Sequence, residues 1–267
     1  MKGYYVTMLI ENTLFGTINK VADSISILQQ HEPPEGFFVA FSGGKDSVVT
    51  LDLVKRAGVK YSAHYHVMTI EPPDLIDFIK KEYPEVNLHY PEKDFYQLII
   101  ENGIPPLRQM RYCQRVLKAP YGLNQSRVTG LRADESYKRR QRQQVEKDSN
   151  TGTLIVHPVF NFSSQDIWSY IRKYKVPYCK LYDLGFKRLS CLFCPFESKS
   201  QIALDLKLYP EIAQKIIAAC QEAINIRRGT NKEIRNFKSG EDMFYWWINH
   251  DKSKPPKDRN LDNLFEM

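Results

Sequence analysis

The sequence predicts an α/β protein, a mostly parallel doubly wound sheet with a C-terminal helical extension. Three observations carry that expectation. Short apolar runs such as FFVAF at 37–41 alternate with stretches of helical spacing, the pattern of buried strands joined by helices that cover both sheet faces. The string SGGKDS at 42–47 follows one such strand and precedes a segment in which Val48, Leu51 and Val54 recur up to Gly58, a helix terminator. Beyond residue 200, PEIAQKIIAACQEAINIRRG steps Ile212, Ile216, Cys220 and Ile224 along one face of a long helix.

Residues 1–35 read as an N-terminal helical segment that ends at the breaker EPPEG. The α/β domain takes residues 36–200. After the first strand and helix, the alternation continues as YSAHYHVMT, PPDLIDFIKKEY, VNLHY and DFYQLIIEN, with further strands at RVTGL and TLIVHPV. Ser163 or Ser164 caps a helix containing Asp166, and Trp168 belongs to the core. Residues 137–152, YKRRQRQQVEKDSNTG, are polar and charged and read as an excursion between two strands. Residues 201–267 form the helical extension and carry Trp246 and Trp247.

A chain of 267 residues with 42% hydrophobic content suits one large domain with an appended piece. No apolar run approaches the roughly 20 residues that cross a bilayer, and MKGYYVTMLIENTLFG has polar residues where a secretory core would stand. The expected location is cytoplasmic. Lys and Arg number 38 against 31 acidic residues, an excess of +7 that suits a polyanionic partner and is equally common in proteins that bind none. Five cysteines at 113, 179, 191, 194 and 220 point to metal, cluster or redox chemistry rather than a disulfide framework.

A loop between a strand end and a helix N-terminus turns several backbone N–H groups toward one point, where the helix dipole adds partial positive charge. Gly43 and Gly44 allow close backbone approach, Ser42 and Ser47 offer hydroxyls, and Lys45 adds a positive charge. The spacing is not that of the Walker loop, so transfer of a γ-phosphate is not expected.

SGGKDS matches the pyrophosphate loop of the N-type ATP pyrophosphatases. With TIEPPDLIDFIK, GLRADESYKRR, HPVFNFSSQDIWSYI and YDLGFKRLSCLFCPF in the same order, the chain resembles the PAPS-reductase-like branch of that adenine nucleotide α-hydrolase superfamily over residues 35–200. The resemblance implies a Rossmann-like fold and a phosphate site made by Ser42, Gly43, Gly44, Lys45, Asp46 and Ser47. It places Thr69 near the nucleoside and lets Gly130, Arg132, Glu135 and Arg139 complete the site. Lys45, Asp46, Arg132 and Arg139 are the expected catalytic groups: Arg132 and Arg139 neutralise charge on the α-phosphate and leaving pyrophosphate. Asp46 either holds Mg²⁺ or caps the helix. Lys138, Arg140 and Arg142 read as a solvated basic face.

Cys191 and Cys194 have a C-x-x-C spacing whose sulfurs can reach one metal atom or two corners of a cluster. The resemblance adds Cys113 and favours a [4Fe–4S] cluster over zinc, with Cys179 as fourth ligand; the alternatives are that Cys179 is a core residue or that the fourth ligand is not a cysteine. Cys220, on an apolar stripe, reads as core, and His64 and His66 as structural.

The resemblance implies cleavage of ATP to AMP and pyrophosphate. No cysteine follows Cys220, so the expectation turns from PAPS or APS reduction, which needs a thiol nucleophile, to adenylation of an acceptor for sulfur insertion. The closest character is that of the ATP pyrophosphatase subunits of DNA phosphorothioation systems, with a nucleic-acid acceptor, DNA by preference, and a cysteine desulfurase or other sulfur donor. The alternatives are a sulfonucleotide reductase, a tRNA thiolase and a non-catalytic ATP-sensing module.

Overall fold

Phe37, Phe38 and Val39 are all buried, as required of the central strand of a sheet covered on both faces. The computed structural model of the chain describes residues 9–13, 16–117, 122, 124–234 and 236–249. Its strands are β1 (Ile10–Thr13), β2 (Gly16–Asn19), β3 (Phe37–Ala40), β4 (Tyr61–His66), β5 (Asn87–His89), β6 (Arg127–Thr129), β7 (Val145–Lys147) and β8 (Leu154–Val156). The first five helices are α1 (Lys20–Gln30), α2 (Lys45–Ala57), α3 (Pro73–Glu82), α4 (Phe95–Asn102) and α5 (Tyr112–Leu117). The remainder are α6 (Tyr137–Arg140), α7 (Ser164–Tyr174), α8 (Lys199–Leu208), α9 (Pro210–Arg227) and α10 (Gly240–Ile248).

The described residues of Met1–Tyr65, Pro73–His89 and Pro120–Leu189 form one compact unit, and those of His66–Pro72, Tyr90–Ala119 and Ser190–Met267 form a second. The first holds the six-stranded sheet in the order β5-β4-β3-β6-β8-β7. β3 runs parallel to β4 and β6, β6 runs parallel to β8, and the edge strand β7 is antiparallel to β8. The chain builds outward from β3 in one direction through β4 and β5, then returns to the other side at β6. The crevice at the carboxyl ends of β3 and β6 is therefore the topological switch point, the ligand position of open α/β sheets.

The α/β class and its mostly parallel sheet agree with the sequence expectation. Two segments differ from it. Part of the N-terminal segment is an antiparallel hairpin, β1 with β2, before α1 begins at Lys20; Asn19 ends the strand and caps the helix, accepting from Val21 and Ala22 N–H. The 137–152 excursion is ordered: it contains α6, and β7 pairs with β8. Its turn is closed by Asp148, whose carboxylate accepts from the N–H groups of Asn150 and Thr151 and pairs with Arg127. Polar composition hid a hairpin whose order comes from local side-chain-to-backbone bonds. Residues 1–8 of the expected N-terminal segment and 250–267 of the expected extension lie outside the described residues.

Helix α2 is the buried helix of the first unit: Val48, Val49, Leu51, Leu53 and Val54 are all fully buried. It packs against α1 and α7. A polar clasp accompanies the second contact, with Tyr170 Oη donating to Asp52 Oδ2 at 2.6 Å and Arg56 Nε donating to the same oxygen at 2.6 Å. Helix α7 starts at a capping box made by Ser163 and Asp166. Asp166, 1% exposed, also pairs with Lys20 Nζ at 2.9 Å, which ties the start of α1 to the start of α7.

In the second unit α9 packs against α4, α8 and α10. Ile216, Ala223, Phe244 and Trp247 are buried there, and Trp247 Nε1 donates to Pro106 O at 2.8 Å. Cys220 is fully buried, and burial pushes its thiol up to about 12, which makes it the packing residue that its position on the helix suggested.

Replacing Lys20 with Ala should cost on the order of 3 kcal/mol, because it leaves the buried Asp166 carboxylate without its cation; urea denaturation measures this, and a loss below about 1 kcal/mol contradicts it. A second expectation concerns pH. His64 Nδ1 meets His89 Nε2 at 2.8 Å, its Nε2 meets Ser62 Oγ at 2.8 Å, and its ring stacks on Phe38 at 4.2 Å. Burial, and then His89, lower the His64 pKa, and burial lowers that of His157. The unfolded chain therefore binds these protons more readily, so stability is full above the ordinary histidine pKa of about 6.5 and falls as pH drops through it. Urea midpoints at pH 7.5 and 5.5 should decline, and decline less in His64→Gln; an identical slope in the variant contradicts the assignment.

Candidate nucleotide site

The loop after β3 is compact because its side chains bond to its own backbone. Ser47 Oγ donates to Gly44 O at 2.8 Å and accepts from Ser42 N–H at 3.2 Å, while Ser42 Oγ and Ser47 Oγ stand 3.1 Å apart. Gly43 has φ +68°, and a Cβ there would come within 2.6 Å of Leu75 Cδ1 on α3, so both the left-handed backbone and the close helix require glycine. Gly44 caps α2 through extended backbone, without a side-chain cap.

Asp46 lies in the first turn of α2 and does not cap it. Its Oδ2 receives Lys45 Nζ at 2.9 Å and its Oδ1 receives Arg132 Nε at 2.6 Å. Both oxygens therefore face cations, which settles the local choice between capping and another role in favour of pairing. Arg132 is 4% exposed and further donates to Phe162 O at 3.3 Å. It arrives from the loop after β6, and Gly130 makes that approach possible: a Cβ there would meet Asp46 C and O and Thr50 Oγ1, each at 3.1 Å. The loop after β6 thus packs at Gly130 against the first turns of α2, with Lys45, Asp46 and Arg132 at the switch point.

Glu135 accepts from Arg132 N–H at 3.2 Å and pairs with Arg139. Arg139 is half-buried, whereas Lys138, Arg140 and Arg142 are exposed, and Arg142 pairs with Glu146. Burial, and then the like charge of Arg188, push the Arg139 guanidinium below its ordinary value. Five expected residues, Lys45, Asp46, Arg132, Glu135 and Arg139, are thus linked by ion pairs or hydrogen bonds. Thr69 belongs to the second unit. There its hydroxyl accepts from Phe95 N–H at 2.8 Å and donates to Met68 O at 2.7 Å, and its own backbone is left-handed at φ 62°. Nearby Glu71, buried, accepts from Met68 and Ile70 N–H.

Three contributors escaped the sequence reading. Tyr182 Oη accepts from Lys45 N–H at 2.8 Å, which orients the first turn of α2. Trp168 meets Tyr182 edge-on at 5.2 Å, so the residue expected to be core packing holds a site side chain in place. Arg188 adds charge beside Arg139 and Tyr182. All three lie within strings that carried the resemblance, yet their spacing from the loop, more than 120 residues, gives no local signal. A buried chain also ends beside Gly130: His157 Nδ1 lies 2.8 Å from Thr129 Oγ1, and His157 Nε2 lies 3.3 Å from Glu146 Oε1.

The cysteines are distributed differently from the four-ligand expectation. Cys179 belongs to the first unit, is 2% exposed, and has its thiol pKa raised by burial. Cys113, Cys191 and Cys194 belong to the second unit and are partly exposed. Among the described residues, no group of three or more His, Cys, Asp or Glu side chains is placed to hold a metal ion. Within the second unit, Cys113, Cys191 and Cys194 are not brought together as a three-ligand set.

Comparison with known proteins adds the family. The model of the phosphoadenosine phosphosulfate reductase domain matches residues 36–197. An uncharacterized protein of Methanocaldococcus jannaschii is 30% identical over 194 residues, 66% of this chain and 40% of that one. A second protein from the same organism is 26% identical over 85% of this chain and 54% of its own length, so the chain spans about half the length of these relatives. Adenosine 5'-phosphosulfate reductase of Oceanobacillus iheyensis is 26% identical over 58% of this chain and 69% of its own. The crystal structure of phosphoadenylyl-sulfate reductase from Candida auris superposes with a TM-score of 0.52 at 17% identity, covering 63% of this chain and 88% of that one, a likeness of fold. With the family model covering well over half of the chain and the switch-point loop in place, this protein belongs to the phosphoadenosine phosphosulfate reductase domain family.

Proposed function

We propose that this protein binds ATP at the loop of residues 42–47 and cleaves it between the α- and β-phosphates, releasing pyrophosphate and passing AMP to an acceptor oxygen. The observation that carries the reading is the Lys45–Asp46–Arg132 arrangement at the switch point, two cations held over a glycine-bearing loop by one carboxylate. In the adenylation step the acceptor oxygen forms a bond to the α-phosphorus, the α–β bridging bond breaks, and pyrophosphate leaves with its electron pair. Lys45 and Arg132 face the charge that grows on that leaving group, with Arg139 and Arg188 as further cations. Ser42, Gly43, Gly44 and Ser47 supply the loop that receives phosphate oxygens, and Gly130 and Glu135 set the opposing wall. Thr69 is retained as a nucleoside contact on the resemblance alone.

Mg²⁺ enters this scheme with the nucleotide. Asp46 does not fit as its ligand in the present arrangement, because both carboxylate oxygens already accept from cations.

The acceptor we propose is nucleic acid, DNA backbone before tRNA base, with AMP displaced by sulfur from a desulfurase or another donor; the +7 excess of basic residues supports a polyanion. A second reading is favoured by relatives named adenosine 5'-phosphosulfate reductase at 26% and 27% identity: reduction of a sulfonucleotide at the same loop.

Pyrophosphate release from ATP should fall at least 100-fold in Lys45→Ala, given the loss of one charged donor to the leaving group; undiminished release in that variant removes the ATP assignment. Tyr182→Phe should retain the fold and slow release more mildly, about tenfold or less, because it loses one orienting bond to Lys45 N–H. Sulfite release from APS or PAPS with a thioredoxin system separates the two readings: robust sulfite formation overturns adenylation, whereas phosphorothioate linkages in DNA that depend on the gene support it.

A further inference from the structure

The second unit carries a cationic and aromatic surface beside its C-x-x-C segment. Arg108 Nε donates to Pro195 O at 2.8 Å, and Arg111 Nε donates to Arg108 O at 3.1 Å. Those bonds bring both guanidinium groups against one ring, with their central carbons 5.2 and 4.2 Å from the centroid of Phe196. Phe196 is nevertheless 44% exposed, and Arg108, Arg111 and Arg115 are all exposed. Among the described residues, no carboxylate pairs with any of these three arginines. The nearby Glu197 is instead engaged by Ser190, whose Oγ donates to it at 2.5 Å.

Such an arrangement is unlike a solvated charge face. Long cationic side chains on a solvated face are held by nothing and are screened, whereas here two guanidinium groups are fixed through their Nε atoms to backbone carbonyls, which leaves the terminal nitrogens available as donors. An aromatic ring that stays 44% exposed beside two fixed guanidinium groups offers both recognition elements of a single strand: donors for phosphate oxygens, and aromatic surface for unpaired bases. A duplex keeps its bases stacked and uses only the first. An acidic peptide offers carboxylates but no stacking partner.

We propose that Arg108, Arg111, Arg115 and Phe196 form a binding surface for single-stranded nucleic acid, on the segment that carries Cys191 and Cys194. It rests on the nucleic-acid acceptor reading above and deepens it by naming the strand form and the residues. The arginines contact consecutive phosphates and the ring of Phe196 stacks on a base.

The test is fluorescence anisotropy of a labelled 20-nucleotide single-stranded DNA with the full chain, across a salt series. Wild-type protein should bind, and affinity should fall with salt. Arg108→Ala/Arg111→Ala should weaken binding about tenfold or more and make the slope of log K against log salt shallower by about 1.4, at roughly 0.7 for each lost contact. Phe196→Leu should weaken binding at least about fivefold with the slope unchanged, because stacking releases no counterions. Lys138→Ala/Arg140→Ala in the other unit should bind like wild type. If the double alanine variant melts well below wild type, Arg108→Lys/Arg111→Lys, which keeps the charge, and Phe196→Leu carry the test. Binding that survives all of these changes overturns this surface while leaving a nucleic-acid acceptor standing. Failure of wild-type protein to bind single strand or duplex, or capture of poly-glutamate alone, overturns both. Duplex bound as tightly as single strand, with Phe196→Leu unaffected, overturns the single-strand assignment.

Discussion

The carboxylate of Asp46 joins the two halves of the candidate nucleotide site. Lys45 beside it belongs to the first turn of α2, and Arg132 opposite belongs to the loop after β6. Arg132 is almost wholly buried, and a buried guanidinium without a counter-charge is strongly destabilising. Asp46 at 2.6 Å, with Asp134 at 3.5 Å, supplies that counter-charge. Asp46 does not take up every donor of the two cations, because one carboxylate cannot satisfy an ammonium and a guanidinium together. A phosphate group is the natural completion of that set.

Around this pair the fold supplies rigidity in layers. The α2 helix is buried along its length, so the loop at its start is anchored to the core rather than to a surface element. Gly43 and Gly130 let side chains of α3 and backbone of α2 come close where any Cβ would intrude. Trp168 backs Tyr182, and Tyr182 holds Lys45 N–H, so α7 supports the loop through two aromatic side chains. The Lys20–Asp166 pair fixes the start of α7 in turn.

The second unit follows a different logic. Its helices α4, α9 and α10 bury Trp247 and Cys220, while its exposed face presents arginines stacked on Phe196 near Cys191 and Cys194. The five cysteines divide by environment: Cys113, Cys191 and Cys194 of this unit are partly exposed, whereas Cys220 of the same unit and Cys179 of the first are buried. Burial raises the pKa of Cys179 and Cys220.

The sequence by itself determined the class of fold, the loop and most of its partners. Periodicity of two and of 3.6 residues is a local property, and so are SGGKDS, the Ser163–Asp166 capping box and the terminator Gly58. What only the tertiary structure decided depends on residues distant in the chain. Whether Asp46 caps its helix or pairs with Arg132 turns on a loop 86 residues away. That Tyr182, Trp168 and Arg188 serve the loop follows from packing that no spacing encodes. The hairpin of β7 and β8 escaped because its strand is polar and its stability lies in side-chain bonds to a turn. The cysteines show the limit most directly: C-x-x-C is legible as a spacing, but whether further sulfurs join it depends on where the fold carries residues 113 and 179, and burial of Cys179 in the other unit is a result of folding alone.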